Sequence, residues 1–136
     1  MITAIDTNVL LDVFGDDPRF GESSQAAVRE VLRQGSVVAC EVVWAEVASA
    51  FPSPKAAAEA MSRLPVEFSA VEVDAALAAG GAWAEYRRRG GQRTRVAADF
   101  LIGAHAREQA DRLLTRDRGF YRTYFSGLRI LEPPQS

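Results

Sequence analysis

Cysteine, histidine and lysine each occur once in the 136 residues, as Cys40, His105 and Lys55. A single cysteine cannot close an intramolecular disulfide, so a reducing interior is expected. With one histidine and one cysteine there is no Cys/His set for zinc. A Ser–His–Asp or Cys–His centre would have to use His105, with no nucleophile elbow to support it. No apolar run reaches the length needed to span a bilayer, so no membrane association is expected. The N-terminus lacks a basic segment and enters an apolar, strand-like run at once. No signal peptide is therefore expected, and the expected location is the cytoplasm. No P-loop and no GxGxxG pattern occurs. Internal repeats, low-complexity tracts and linkers are also missing, so residues 1–136 read as one domain with a moderate core.

Charge is nearly balanced overall, at −2, but unevenly placed. Residues 1–86 hold 5 basic and 13 acidic side chains, and residues 87–136 hold 11 and 5. Fifteen of the sixteen basic residues are arginine, and five of them lie between Arg87 and Arg95. Arginine suits bidentate contact with phosphate, so the second half offers a local stripe for a polyanion. Arg87–Arg89 equally fit a solvated helix end favoured by the macrodipole.

Strand-like and helical stretches alternate. Strands are expected at about Ile2–Asp6, Val37–Cys40, Val66–Phe68, Arg112–Thr115 and Leu128–Leu131. Helices are expected at about Val9–Phe14, Ser23–Arg33, Val42–Ala50, Pro54–Leu64, Val71–Arg89 and Val96–Gln109. Such alternation argues for an α/β fold, a three-layer α/β/α sandwich around a mostly parallel sheet.

Four acids stand out within that frame. Asp6 ends the first apolar run, where a parallel sheet presents its carboxyl edge, and Thr7 and Asn8 follow it. An aspartate at that junction also serves as an N-cap. Glu46 lies inside the almost wholly apolar Val42–Ala48 stretch, where a carboxylate is costly unless paired or bound to a cation. Glu41, in the first turn, is explained by the helix dipole. Asp99 opens an apolar helix whose entry carries Arg93 and Arg95, although dipole and capping also suit an acid there. Asp117 follows the apolar Leu113–Thr115, and also fits a turn ahead of Gly119.

In a doubly wound sheet these four positions can converge on one crevice. Gathered carboxylates repel one another and raise one another's pKa unless cations compensate. Hard oxygen donors without a Cys/His cluster select Mg²⁺ or Mn²⁺, and phosphodiester hydrolysis uses such a site. His105 lies six positions beyond Asp99, about 240° round a helix, and so points away from the acids. Trp44, Trp83, Tyr86, Phe120, Tyr121, Tyr124 and Phe125 have core-like spacing, with stacking on bases the alternative.

The run IDTNVLL at residues 5–11, the mid-helix Glu46, the segment RTRVAADFLIGAHA, and LLTRDRGFYRTYF followed by LRILEP resemble PIN-domain ribonucleases. The likeness is strongest to VapC-type toxins of toxin–antitoxin pairs, and covers nearly the whole chain. It implies a parallel sheet between helices, with Asp6, Glu46, Asp99 and Asp117 as a catalytic, metal-holding quartet. Asn8 and Thr115 match supporting positions. The resemblance also implies Mg²⁺ or Mn²⁺ as cofactor, a homodimer, and a small cognate antitoxin. The expected activity is metal-dependent endonucleolytic cleavage of RNA, with Arg93, Arg95, Arg116 and Arg118 as candidate RNA contacts. The alternative is a PIN-like RNA- or protein-binding module without turnover. A receiver-like phosphoacceptor is disfavoured, because Lys55 sits in a Pro/Ala stretch far from the strand ends.

Overall fold

The computed structural model describes residues 1–91 and 97–134. Five short strands, β1 (Ile2–Ile5), β2 (Ser36–Ala39), β3 (Val66–Phe68), β4 (Arg112–Leu114) and β5 (Ile130–Leu131), form one sheet in the order β3-β2-β1-β4-β5. Every pairing is parallel, with Ala4 opposite Val38 on one side and Leu113 on the other. Parallel neighbours need crossovers, and helices supply them. They are α1 (Thr7–Phe14), α2 (Gly21–Gln34), α3 (Glu41–Ser49), α4 (Pro54–Met61), α5 (Val73–Arg88), α6 (Ala97–Gln109) and α7 (Arg118–Tyr124). The three-layer α/β/α arrangement expected from the alternation is the one observed.

From β1 the chain builds outward through β2 to β3, then returns to lay β4 on the other side of β1. The carboxyl ends of β1 and β4 therefore flank the point where winding reverses. An open parallel sheet has its crevice there, because loops leaving the two strands diverge.

The central strands are buried on both faces: Ala4, Ile5, Val37, Leu113 and Leu114 have almost no exposure. Helix α6 is buried along most of its length, through Phe100, Ile102, Gly103, Ala104, His105 and Ala106. At Gly103 a methyl group would stand 2.4 Å from the Phe125 ring, so glycine permits this close approach. Phe100 meets Phe120, Tyr86 and Tyr124 edge-on, tying α5, α6 and α7 together.

Most elements lie where the pattern places them, with ends shifted by one or two residues. Helix α1 begins at Thr7 rather than Val9, which puts Thr7 and Asn8 in its first turn. Helix α7 was not expected: Asp117 and Gly119 carry turn character that masks a seven-residue helix. Its signal is the spacing of Phe120, Tyr121, Tyr124 and Phe125, which line one helix face and join the core.

Candidate active site

Asp6 is the first residue past β1 and caps α1: its Oδ1 accepts the Thr7 backbone N–H at 2.7 Å. Its Oδ2 accepts from the Thr115 hydroxyl at 2.7 Å, the Tyr121 hydroxyl at 3.1 Å and Asn8 Nδ2 at 3.4 Å. The carboxyl is only 5% exposed. Burial pushes its pKa up to about 6; the bonds from Thr115, Thr7 and Tyr121 pull it down, and the Glu46 charge adds a last upward push. Burial rather than acid–acid repulsion is the main cause.

Glu46, on the second turn of α3, reaches the site through Thr7. The Thr7 hydroxyl donates to Glu46 Oε1 at 2.6 Å while its backbone N–H holds Asp6. One residue of α1 thus links the two acids. Asp99 stands in the first turn of α6, and Asp117 at the N-cap of α7 without capping it through its side chain. The charges of Asp6, Asp99 and Asp117 all act on the buried Tyr121 hydroxyl, raising its pKa further above that set by burial. The fold thus joins Asp6 to Glu46 through Thr7, and brings the charges of Asp99 and Asp117 to bear on the Tyr121 hydroxyl that binds Asp6.

Thr115 and Asn8 bind the two strand exits together. The Thr115 hydroxyl donates to Asp6 and accepts the Asp117 backbone N–H at 3.0 Å and Asn8 Nδ2 at 3.4 Å. Asn8 Oδ1 accepts the Arg116 backbone N–H at 3.2 Å.

The arginines are divided. Arg116 forms a bidentate pair with the buried Asp12, through Nε at 2.7 Å and Nη2 at 3.0 Å, and Ser24 donates to the same carboxylate at 2.8 Å. Its first role in the fold is thus to neutralise Asp12. Arg118 pairs with Glu132 at 3.2 Å and is half exposed. Arg93 and Arg95 lie outside the described residues. His105 is buried, with Nε2 3.0 Å from the Ser69 hydroxyl, and the acids whose charge it feels are Glu41 and Glu72, not the quartet.

Two contributors are invisible to motif reading. Asp12 resembles a surface acid of α1 until tertiary contact with Arg116 explains its burial. Tyr121 has core spacing, yet its hydroxyl ends on the central carboxylate.

The donor set suits a hard divalent cation: all the gathered groups are oxygens, and Asp6 is a buried acid beside a second acid. Among the described residues, no three Asp, Glu, His or Cys side chains are close enough together to ligate an ion. An all-oxygen donor set is the kind that a hard divalent cation takes.

A parallel α/β domain with the buried carboxylate of Asp6 at its topological switch point, and Glu46 joined to it through Thr7, defines the class. The chain belongs to the PIN domain family, a family of nucleases, and matches it over residues 3–126. Among solved structures it resembles VapBC2 from Rickettsia felis, bound to a DNA fragment from their promoter. There the identity is 19%, the TM-score 0.76, and coverage 97% of this chain and 98% of the other. VapBC-1 from nontypeable Haemophilus influenzae gives 18% identity, a TM-score of 0.75 and the same coverage. VapC20 of Mycobacterium tuberculosis, a Sarcin-Ricin loop cleaving toxin, gives 18%, 0.62, and coverage of 93% and 98%. No curated protein matches the sequence. No helix among the described residues is long and apolar enough to cross a membrane.

Proposed function

We propose that the chain is a divalent-cation-dependent endoribonuclease and the toxin of a toxin–antitoxin pair. The observation that carries this reading is Asp6: a buried carboxylate at the switch point, held by four donors, joined to Glu46 through Thr7, with the charges of Asp99 and Asp117 felt at the Tyr121 hydroxyl that binds it. A binding module gains nothing from gathering four mutually repelling acids.

Asp6, Glu46, Asp99 and Asp117 would hold Mg²⁺ or Mn²⁺, with Asp6 and Asp99 the most direct ligands. When bound, such an ion neutralises phosphate and lowers the pKa of water. The chain's own residues do the positioning. Thr115, Tyr121 and Asn8 fix Oδ2 of Asp6, and Thr7 sets Glu46 beside it. Arg93, Arg95 and Arg118 would contact RNA phosphates.

A small antitoxin is proposed as partner because the neighbours include VapBC and FitAB structures and a toxin–antitoxin complex. A homodimer is also proposed. Val73 and Leu77, one turn apart on α5 and 73% and 70% exposed, are apolar surface available to a second copy. The cytoplasm is the proposed location.

The test is cleavage of structured RNA with MgCl₂ or MnCl₂. Wild-type protein is expected to cut, and EDTA to stop it. Asp6→Asn, still folded, loses about 10²-fold or more, as expected for a major electrostatic contributor. RNA bound but uncut by wild type in either metal would assign the chain to the binding-module class instead. Mass action also raises the melting temperature of wild type when the ion is added.

A further inference from the structure

Beside the acid site lies a cavity of about 300 Å³ to which the quartet contributes nothing. It is lined by Arg19, Phe20, Ser23, Arg116, Glu132 and the Pro133–Pro134 pair. Two guanidinium groups stand over the one Phe20 ring, Arg116 at 4.1 Å and Arg19 at 4.9 Å from its centroid. Their charge states of pairing differ. Arg116 spends Nε and Nη2 on Asp12, and Nη1 takes no part in that pair. Arg19 is exposed and has no ion pair among the described residues.

Asp17, two positions before Arg19, lies outside the lining and forms no ion pair among the described residues, although its charge is felt by both Arg116 and Arg19. Its Oδ1 accepts the backbone N–H groups of Arg19 and Phe20 at 2.9 and 2.8 Å. This closes the turn that presents Arg19 to the cavity. The one carboxylate in the lining, Glu132, is matched by Arg118. With Asp12 paired to Arg116 and Arg118 to Glu132, Arg19 is the lining guanidinium left without an ion pair among the described residues.

Arg116 lies between Thr115 and Asp117, and its backbone N–H is bound to Asn8. The cavity therefore begins where the carboxylate site ends. A planar guanidinium resting on an aromatic ring keeps its N–H edge free for bidentate contact with phosphate.

We infer that the Arg19–Phe20–Arg116 cavity is a phosphate subsite for single-stranded RNA, taking a phosphodiester that flanks the one at the acid site. This rests on the function proposed above. Arg116 anchors the floor and Arg19 supplies the cation that responds to substrate. The Phe20 ring is occupied by the two guanidinium groups, so the subsite reads the backbone and is indifferent to base identity.

The test uses fluorescence anisotropy of a labelled 12-nucleotide single-stranded RNA of mixed sequence, in EDTA to prevent cleavage, between 50 and 300 mM KCl. Arg19→Gln is the variant, because Arg116 is needed to balance Asp12. Arg63→Gln is the control: Arg63 is exposed and lies ahead of β3, at the opposite edge of the sheet. Arg19→Gln weakens binding about fivefold or more at the lowest salt and flattens the log–log salt dependence by about 0.7, one contact's worth. Arg63→Gln changes neither. Equal affinity and slope for Arg19→Gln and wild type overturn the subsite, while the proposed nuclease function stands if wild type still cuts. No RNA binding by wild type in EDTA also overturns the subsite, and the nuclease function is then decided separately by cleavage with MgCl₂ or MnCl₂. An unchanged RNA slope with lost binding of a partner protein overturns the subsite and assigns the cavity to that protein's tail.

Discussion

The hydroxyl of Tyr121 donates to Oδ2 of Asp6 across 3.1 Å, from a side chain that is 1% exposed. It joins a helix at the end of the chain to the first acid of the sequence, 115 residues earlier. The bond shares Oδ2 with Thr115 and Asn8, so the carboxylate plane is fixed from three directions.

Tyr121→Phe removes one of those donors and leaves the ring in the core. A buried hydrogen bond to a charged group contributes about 1.5–3 kcal/mol. The variant should melt lower. In RNA cleavage kcat should fall about tenfold with KM held, as a misoriented Asp6 affects chemistry rather than binding. Wild-type kcat in a folded variant would remove Tyr121 from the group that orients Asp6.

Asp6 sets a pH signature in metal-free protein. Its folded pKa, about 6, lies above the ordinary 3.8, so the folded state binds the proton more tightly than the unfolded state does. That stabilisation is complete below about pH 4. It is lost as pH rises through 6, and amounts to roughly 3 kcal/mol at 1.36 kcal/mol per pKa unit. Asp6→Asn cannot titrate, and its amide must face either the Thr7 N–H or the three other donors. Its stability relative to wild type should therefore rise from pH 5 to pH 7.5, by a few degrees in melting temperature. Parallel curves for the two proteins would show that Asp6 is not a protonatable buried acid.

Arg116→Ala strands the carboxylate of Asp12, which is 4% exposed. Removing one partner of a buried pair costs about 3–5 kcal/mol, and this pair is partly open at Arg116, so the lower end is expected. Urea unfolding measures it. A loss under about 1 kcal/mol, the scale of surface ion pairs, would mean that Asp12 is solvated in the native protein.

Gly103→Ala tests the contact between α6 and α7. The new methyl would stand 2.4 Å from the ring of Phe125, itself 1% exposed at the C-cap of α7. Overpacking of this kind costs about 1–3 kcal/mol, against the gain in helix propensity that alanine otherwise brings. Thermal unfolding decides the sign: a stabilised variant would show that the helices separate easily.

Much of the fold is legible in the sequence because its signals are local. Short apolar runs and helical periodicity arise from contacts within a few residues, so Ile2–Ile5, Ser36–Ala39 and Val66–Phe68 are found nearly in place. The same patterns put Asp6 and Asp117 past strand ends, Glu46 inside an apolar helix and Asp99 at a helix start. The composition also fixes the class of donors, since one histidine and one cysteine leave carboxylates to form any metal-binding set.

Only the tertiary structure decides that β4 lies beside β1, which brings Thr115 and Asp117 to Asp6. Strand order depends on pairing between segments more than a hundred residues apart, and no local pattern encodes it. Burial is decided at the same level. It makes Asp6 a weak acid, turns Asp12 and Arg116 into an internal ion pair, and directs the Tyr121 hydroxyl to the carboxylate. The physical reason is that desolvation and hydrogen-bond direction belong to the packed environment, whereas periodicity belongs to the chain.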